Sequence, residues 1–230
     1  MFVTLGVLSA LAYGIMVIGR IPIITVPFTL KYDPKDIVFV ICGFIYGPLP
    51  VFAMSIVVSF IEMITVSENG IIGFAMNVLS TCAFACSAAF VYKKLHSLKG
   101  AVIGLIVGWI VMAAAMLLYN YLITPFYLAS LSLGWSDMKA LSETAKNIRP
   151  GVAALLIPVF LPFNLLKCGI NAAVAMLVYK PVKAGLTKSK LLPEPPSGNA
   201  ATKVNIGVMI ASAFVLLTGV LIVLVYRGII

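Results

Sequence analysis

Apolar runs close to twenty residues long recur along the whole of this 230-residue chain, and about twenty helical residues is what a bilayer core requires. No other feature constrains the fold as tightly. In hydrocarbon every backbone polar group must find its partner within the protein, so repeated runs of this length mean helices. With 62% hydrophobic and only 10% charged residues, a soluble globular domain is excluded. The chain reads as an all-α, polytopic membrane protein. Its net charge of +9 comes from lysines and arginines gathered in loops, a sign of membrane topology rather than of nucleic-acid binding. The first residues, MFVTLGVLSALAYGIMVIG, lack a basic leader and are long enough to span, so they read as a helix and not as a signal peptide.

The pattern places core spans at about 2–19, 37–47, 51–66, 71–92, 101–122 and 162–180, with a further apolar run at 204–225. The second is too short to cross upright and ends at Gly47-Pro48, where a tight, half-buried turn is expected. Residues 126–149 are a polar connection with room for a short interfacial helix. Pro158 and Pro162 divide the run 151–179, so residues 151–161 are expected to form a re-entrant or interfacial approach. The organisation expected is a six-helix membrane domain over 1–183, a basic Pro-rich linker over 184–203, and an additional helix in 204–230. The loop 93–99 and the linker 180–203 together hold eight lysines against one acid, Glu194. That side is therefore cytoplasmic, which puts a multi-pass protein in the cell membrane with its amino terminus inside.

The stretch PFTLKYDPKDIVFVICGFIYGP, 27–48, is the most informative. Lys31, Asp33, Lys35 and Asp36 crowd a loop between apolar runs, and a charge left in hydrocarbon costs roughly 2.5–3.5 kcal/mol on insertion scales. These groups must meet water or pair internally. The loop is either a plain connection or a lid over a pocket. Further polar groups lie within the spans: Asn77, Asn120 with Thr124 one turn on, and Asn164 with Lys167 on one helix face. Lys167 is thirteen residues from Lys180, about 20 Å of helix, too far to reach the inner interface. It must face a polar cavity, pair with an acid or reach outward. Asn side chains offer donors and acceptors suited to a heteroaromatic edge. Gly6, Ala10 and Gly14 recur every four residues on the first span, a small-residue face that another helix can approach closely. Cys82 and Cys86 share a helix face and read as packing residues. No metal site, catalytic triad or phosphate loop is visible, so an enzyme is not expected.

LKYDPKDI (30–37), GFIYGP (43–48), LYNYLITPFYL (118–128) and LPFNLLKCGINAAV (161–174) together resemble, in order and spacing, the riboflavin-specific S components (RibU family) of energy-coupling factor (ECF) transporters. The resemblance implies a six-helix S-component core that captures riboflavin, or FMN and analogues, from outside. It implies no cofactor, riboflavin being the transported ligand. The implied partners are a coupling transmembrane subunit and two ATP-binding subunits, within the lipid bilayer and without nucleic acid. By position, Asn120, Asn164 and Lys167 would contact the ligand, Asn77 would match a recurrent asparagine, and Leu30, Lys31, Tyr32, Asp33 and Asp36 would close over the flavin. Gly6, Ala10 and Gly14 would form the docking face for the coupling subunit. The seventh span lies outside the family core. Val38 replaces a usual proline, and Ser55, Val58 and Ser59 stand where charged groups are usual on the third helix. Those departures leave open an S component for another vitamin, or a non-transporting membrane scaffold that keeps only the docking face.

Overall fold

The computed structural model describes residues 1–24, 29–67, 69–189 and 206–226. Helix α1 (Phe2–Gly19) leads into a two-stranded antiparallel hairpin, β1 (Ile21–Ile24) and β2 (Leu30–Tyr32), with Ile21 opposite Tyr32 and Pro22 opposite Lys31. Pro27, which opens the charged stretch 27–48, lies outside the described residues. Asp33 then turns the chain: its Oδ1 accepts the Lys35 amide at 3.1 Å and starts α2 (Lys35–Tyr46). Gly47, buried at φ 91°, makes the tight turn expected before Pro48, a conformation favouring glycine, and α3 (Pro48–Thr65) runs back. Next come α4 (Gly70–Thr81), a π-helical turn at Cys82–Cys86, α5 (Ser87–Leu95) and α6 (Leu98–Leu122). The chain then forms α7 (Thr124–Leu133), α8 (Met138–Leu155), a second π-helical turn (Leu156–Phe160), α9 (Leu161–Lys188) and α10 (Ile206–Tyr226).

Among the described residues, five helical stretches are long and apolar enough to cross a membrane: Phe2–Gly19, Pro48–Thr65, Gly70–Leu95, Leu98–Leu133 and Met138–Tyr179. Helix α2 has only 12 residues, about 18 Å. Because it shares a tight turn with the longer α3, its amino end stops short of the bundle's hairpin end. The base of the hairpin is thereby sunk among the helices rather than resting on top of them.

Three expectations need correction. Residues 151–161, expected as a separate re-entrant or interfacial approach, are helical and join α8 to α9 without a break. Pro158 sits in the π-helical turn, whose wider ladder accommodates the missing amide, and Pro162 occupies the first turn of α9, where no intrahelical donor is needed. The 126–149 connection is a helical hairpin, with Phe126 and Ala129 of α7 packed on Leu141, Ala145 and Ile148 of α8, and Asp137 capping α8 through the Lys139 and Ala140 amides. Helix α9 continues through Lys183 to Lys188, so the first residues assigned to the linker at 184–203 are helical; 190–203 lie outside the described residues.

One close internal helix contact was not anticipated. Gly100, Gly104 and Gly108 recur every four residues on α6 and face the π-helical turn and α5. A Cβ at Gly108 would stand 2.4 Å from the Phe84 carbonyl oxygen, and one at Gly104 would stand 2.6 Å from that of Ala88. On α1 the arrangement is reversed. Thr4, Leu8, Ala12 and Met16 are buried, whereas a Cβ added at Gly6 or Gly14 meets nothing within 4 Å and Ala10 is exposed. Helix α10 runs antiparallel to α9, with Gly219 close against Ile170 and Leu166.

The two stripes should respond oppositely to enlargement. Gly108→Ala is expected to lower the thermal stability of the detergent-solubilised protein by about 1–3 kcal/mol, the usual cost of overpacking. Gly6→Ala is expected to leave the melting temperature unchanged. A circular-dichroism melt of both variants checks the contrast.

Candidate functional site

The charged loop does not face water; it pairs internally. Arg20 immediately precedes β1, and Asp33 and Lys35 follow β2. The three meet Glu62 of α3, which accepts from Arg20 through one carboxylate oxygen and from Lys35 through the other. Asp33 Oδ2 lies 2.9 Å from Lys35 Nζ and 3.5 Å from Arg20 Nη2. In the first turn of α2, Asp36 accepts from Thr81 Oγ1 of α4 at 2.7 Å and lies 3.5 Å from Lys167 Nζ of α9. Lys35, Asp36 and Glu62 are no more than 2% exposed. The cluster holds three cations (Arg20, Lys35, Lys167) and three carboxylates (Asp33, Asp36, Glu62), so its formal charge cancels. Burial alone would raise the Asp33 carboxyl, but Lys35 and then Lys167 outweigh it and hold it below the usual carboxylate range.

A second tie joins hairpin to helix. Tyr32 donates to Asn171 Oδ1 at 2.6 Å, and Asn171 Nδ2 donates to the Asp33 carbonyl at 3.1 Å. Burial first, then the Asp36 and Asp33 charges, push the Tyr32 phenol upward, which keeps it a donor. Asn164, Lys167 and Asn171 are spaced i, i+3, i+7 and are all buried, so α9 turns one polar face toward the hairpin base. Asn164 donates to the Phe160 carbonyl at 2.8 Å. The adjacent face of α9, about 100° round the helix, is apolar. There Phe163, Leu166 and Ile170, with Ile23, Trp109 and Gly219, line a cavity of about 480 Å³ that no member of the charged cluster reaches.

The structure thus brings Tyr32, Asp33, Asp36 and Lys167 into one assembly, with Asn164 on the same helix face. Leu30 and Lys31 lie on β2, half-buried, in the hairpin itself. Asn120 is buried but serves its own helix end, donating to the Met116 carbonyl at 2.8 Å and accepting from Thr124 at 2.9 Å. Asn77 is half-buried on α4 and is not drawn into the cluster. Sequence reasoning named Lys35 as a loop charge that must pair or meet water, without its partner, and passed over Arg20, Glu62, Thr81 and Asn171 as site residues. Asn171 had a visible signal, since it continues the Asn164–Lys167 helical spacing. Ser55, Val58 and Ser59, where charges were expected on the third helix, are fully buried in the packed core; the charge of α3 comes one turn later, at Glu62.

Comparison with known proteins places this geometry. Residues 1–179 match the family described as "ECF transporter, substrate-specific component". The chain is 30% identical over 191 residues to the riboflavin transporter FmnP of Bacillus subtilis (strain 168), covering 82% of this chain and 94% of that protein. It is 24% identical to the riboflavin transporter RibU of Streptococcus thermophilus (strain ATCC BAA-250 / LMG 18311), covering 80% and 83%. The fold superposes with a TM-score of 0.62 on a solved S component of a bacterial ECF transporter, at 24% identity, over 80% of this chain and 96% of that one.

Lys167→Met leaves Asp36 buried without its cation and is expected to cost about 3–5 kcal/mol of stability. Adding Asp36→Asn should recover most of that loss, and thermal melts of the single and double variants decide it. Because Asp33 titrates lower folded than unfolded, its contribution is fully present above the unfolded value and fades as pH falls through the folded one. The melting temperature should therefore not decline on its account until pH drops below about 4.

Proposed function

This chain belongs to the substrate-specific components of ECF transporters, and from that premise we propose that it captures riboflavin. The relatives named riboflavin transporters support the substrate. The observation that carries the reading is the junction of hairpin and α9: Tyr32 meets Asn171, and Asp36 meets Lys167, beneath a hairpin that closes the end of the bundle. Riboflavin suits such a site. Its isoalloxazine ring has an imide edge of alternating carbonyls and N–H, which Asn and Lys side chains read, and broad apolar faces that gain roughly 25 cal/mol per Å² when buried. Lys167 is held by Asp36 in the closed arrangement, so a ring carbonyl joins a lysine already oriented and charge-compensated. Asn164 and Asn171 complete the polar face on α9. The hairpin opens to admit the vitamin and closes over it; Leu30, Lys31, Tyr32, Asp33 and Asp36 belong to this lid, with Asn120, Thr124 and Asn77 on the surrounding helices.

Orientation follows from lysine placement. Lys93, Lys94 and Lys99, with Lys183 and Lys188 of α9, gather at the end away from the hairpin, which makes that end cytoplasmic and the hairpin extracellular. The amino terminus is then cytoplasmic, and α10, antiparallel to α9, is a seventh span appended through the 190–203 linker. The open stripe of Gly6, Ala10 and Gly14 is the docking face for the coupling transmembrane subunit, and the two ATP-binding subunits supply the energy. The chain itself performs no catalysis and needs no cofactor.

Titration of purified protein with riboflavin, followed by Trp109 and Trp135 fluorescence, should give saturable quenching. Asn164→Ala and Lys167→Ala are each expected to weaken binding by about ten- to a hundredfold, the worth of a hydrogen bond involving a charged or buried group. Protein that ignores riboflavin, FMN and their analogues would overturn the substrate and point to another vitamin. Gly6→Leu with Ala10→Leu should leave riboflavin binding intact while abolishing co-purification with the coupling subunits.

A further inference from the structure

We propose that Glu62 is the latch of the hairpin: a positioning residue outside the ligand site whose single carboxylate holds both roots of the lid to the body of the protein. The inference rests on the reading of the hairpin as a lid. Arg20 is the last residue before β1, and Lys35 stands just beyond β2. Each donates to a different oxygen of Glu62. Asp33 also touches both cations, but it belongs to the hairpin and moves with it. Arg20 closes α1 and Lys35 opens α2, the two helices from which the hairpin springs; of these four charges only Glu62 comes from an element that does not adjoin the hairpin, α3, so it ties both roots to the rest of the bundle.

The remaining ties differ in kind. Tyr32–Asn171 and Asp36–Lys167 run to α9, the helix that faces the ligand. Those contacts are available to be shared with a bound molecule. The Glu62 pair is not, because its partners lie at the hairpin's roots and both its oxygens are occupied. Glu62 therefore governs how often the hairpin lifts, while the α9 contacts govern what it closes on. Removing the carboxylate leaves Arg20 and Lys35 sharing Asp33, with one uncompensated positive charge at 2% exposure or less on the Lys35 side. The escape from that state is to carry the hairpin base toward water.

The test is amide hydrogen exchange on the ligand-free, full-length protein, so that it stands whether or not the vitamin is riboflavin. Glu62→Gln is expected to speed exchange of the β1, β2 and Asp33–Asp36 amides by about tenfold or more, with α6 unchanged. The Glu62→Met, Lys35→Met double variant restores charge balance. It should recover the melting temperature while its hairpin still exchanges fast, which a role confined to charge balance would not produce. It also serves as the test if Glu62→Gln fails to fold. Hairpin exchange at the wild-type rate in Glu62→Gln, or recovery of both properties in the double variant, overturns the latch. A wild-type protein that ignores riboflavin while Glu62→Gln loosens the hairpin would sink the substrate and leave the latch standing.

Discussion

Five buried charged groups and the half-buried Arg20, gathered in an otherwise apolar bundle, set the terms for the rest of this structure. Each would be costly alone in a low-dielectric interior, and a pair broken by loss of one partner leaves an orphan charge worth several kcal/mol. Arg20, Lys35 and Lys167 against Asp33, Asp36 and Glu62 cancel, and Thr81 supplies a further donor to Asp36. To reach one another these groups must come from α2, α3, α4, α9 and the hairpin flanks at one depth. The short α2 makes that possible, since it lets the hairpin base descend to the level of Lys167, well inside α9. Neutrality thus dictates helix length, hairpin depth and the polar face of α9 at once.

Much of the helical layout was legible because hydropathy reports directly on lipid contact. The span read at 2–19 is α1, Phe2–Gly19, and Gly47-Pro48 is the turn expected. Where structure and sequence expectation differ, a proline or a lysine does not end the helix. Pro158 is absorbed by a π-helical turn, and α9 outlasts its apolar run by extending past Lys183. The need for the loop charges to pair was readable, but their partners were not. Arg20 and Glu62 are 42 residues apart and Tyr32 and Asn171 are 139 apart, distances over which a single sequence carries no pairing signal. Asn171 is the exception that periodicity alone could have recovered. The resemblance to riboflavin-specific S components supplied the family, which the match over 1–179 bears out.

Two stripes of small residues share one spacing but meet different surroundings. On α6, Gly104 and Gly108 let the backbone of the neighbouring helical segment come within the space a methyl group would fill, and Gly100 does the same for the Leu95 side chain. On α1, Gly6, Ala10 and Gly14 have the same spacing with no neighbour in place. Spacing does not distinguish them. The difference lies in what the rest of each helix does: the other face of α1 is committed to the core through Leu8, Ala12 and Met16, which forces the small face outward.

That outward face also bears on how long any association through it lasts. It presents no charge, no buried donor and no unsatisfied acceptor. Lipid chains solvate it as well as they solvate any other hydrocarbon surface, so a helix that leaves it strands nothing. An association held by shape alone can be undone and remade without stranding a polar group in lipid.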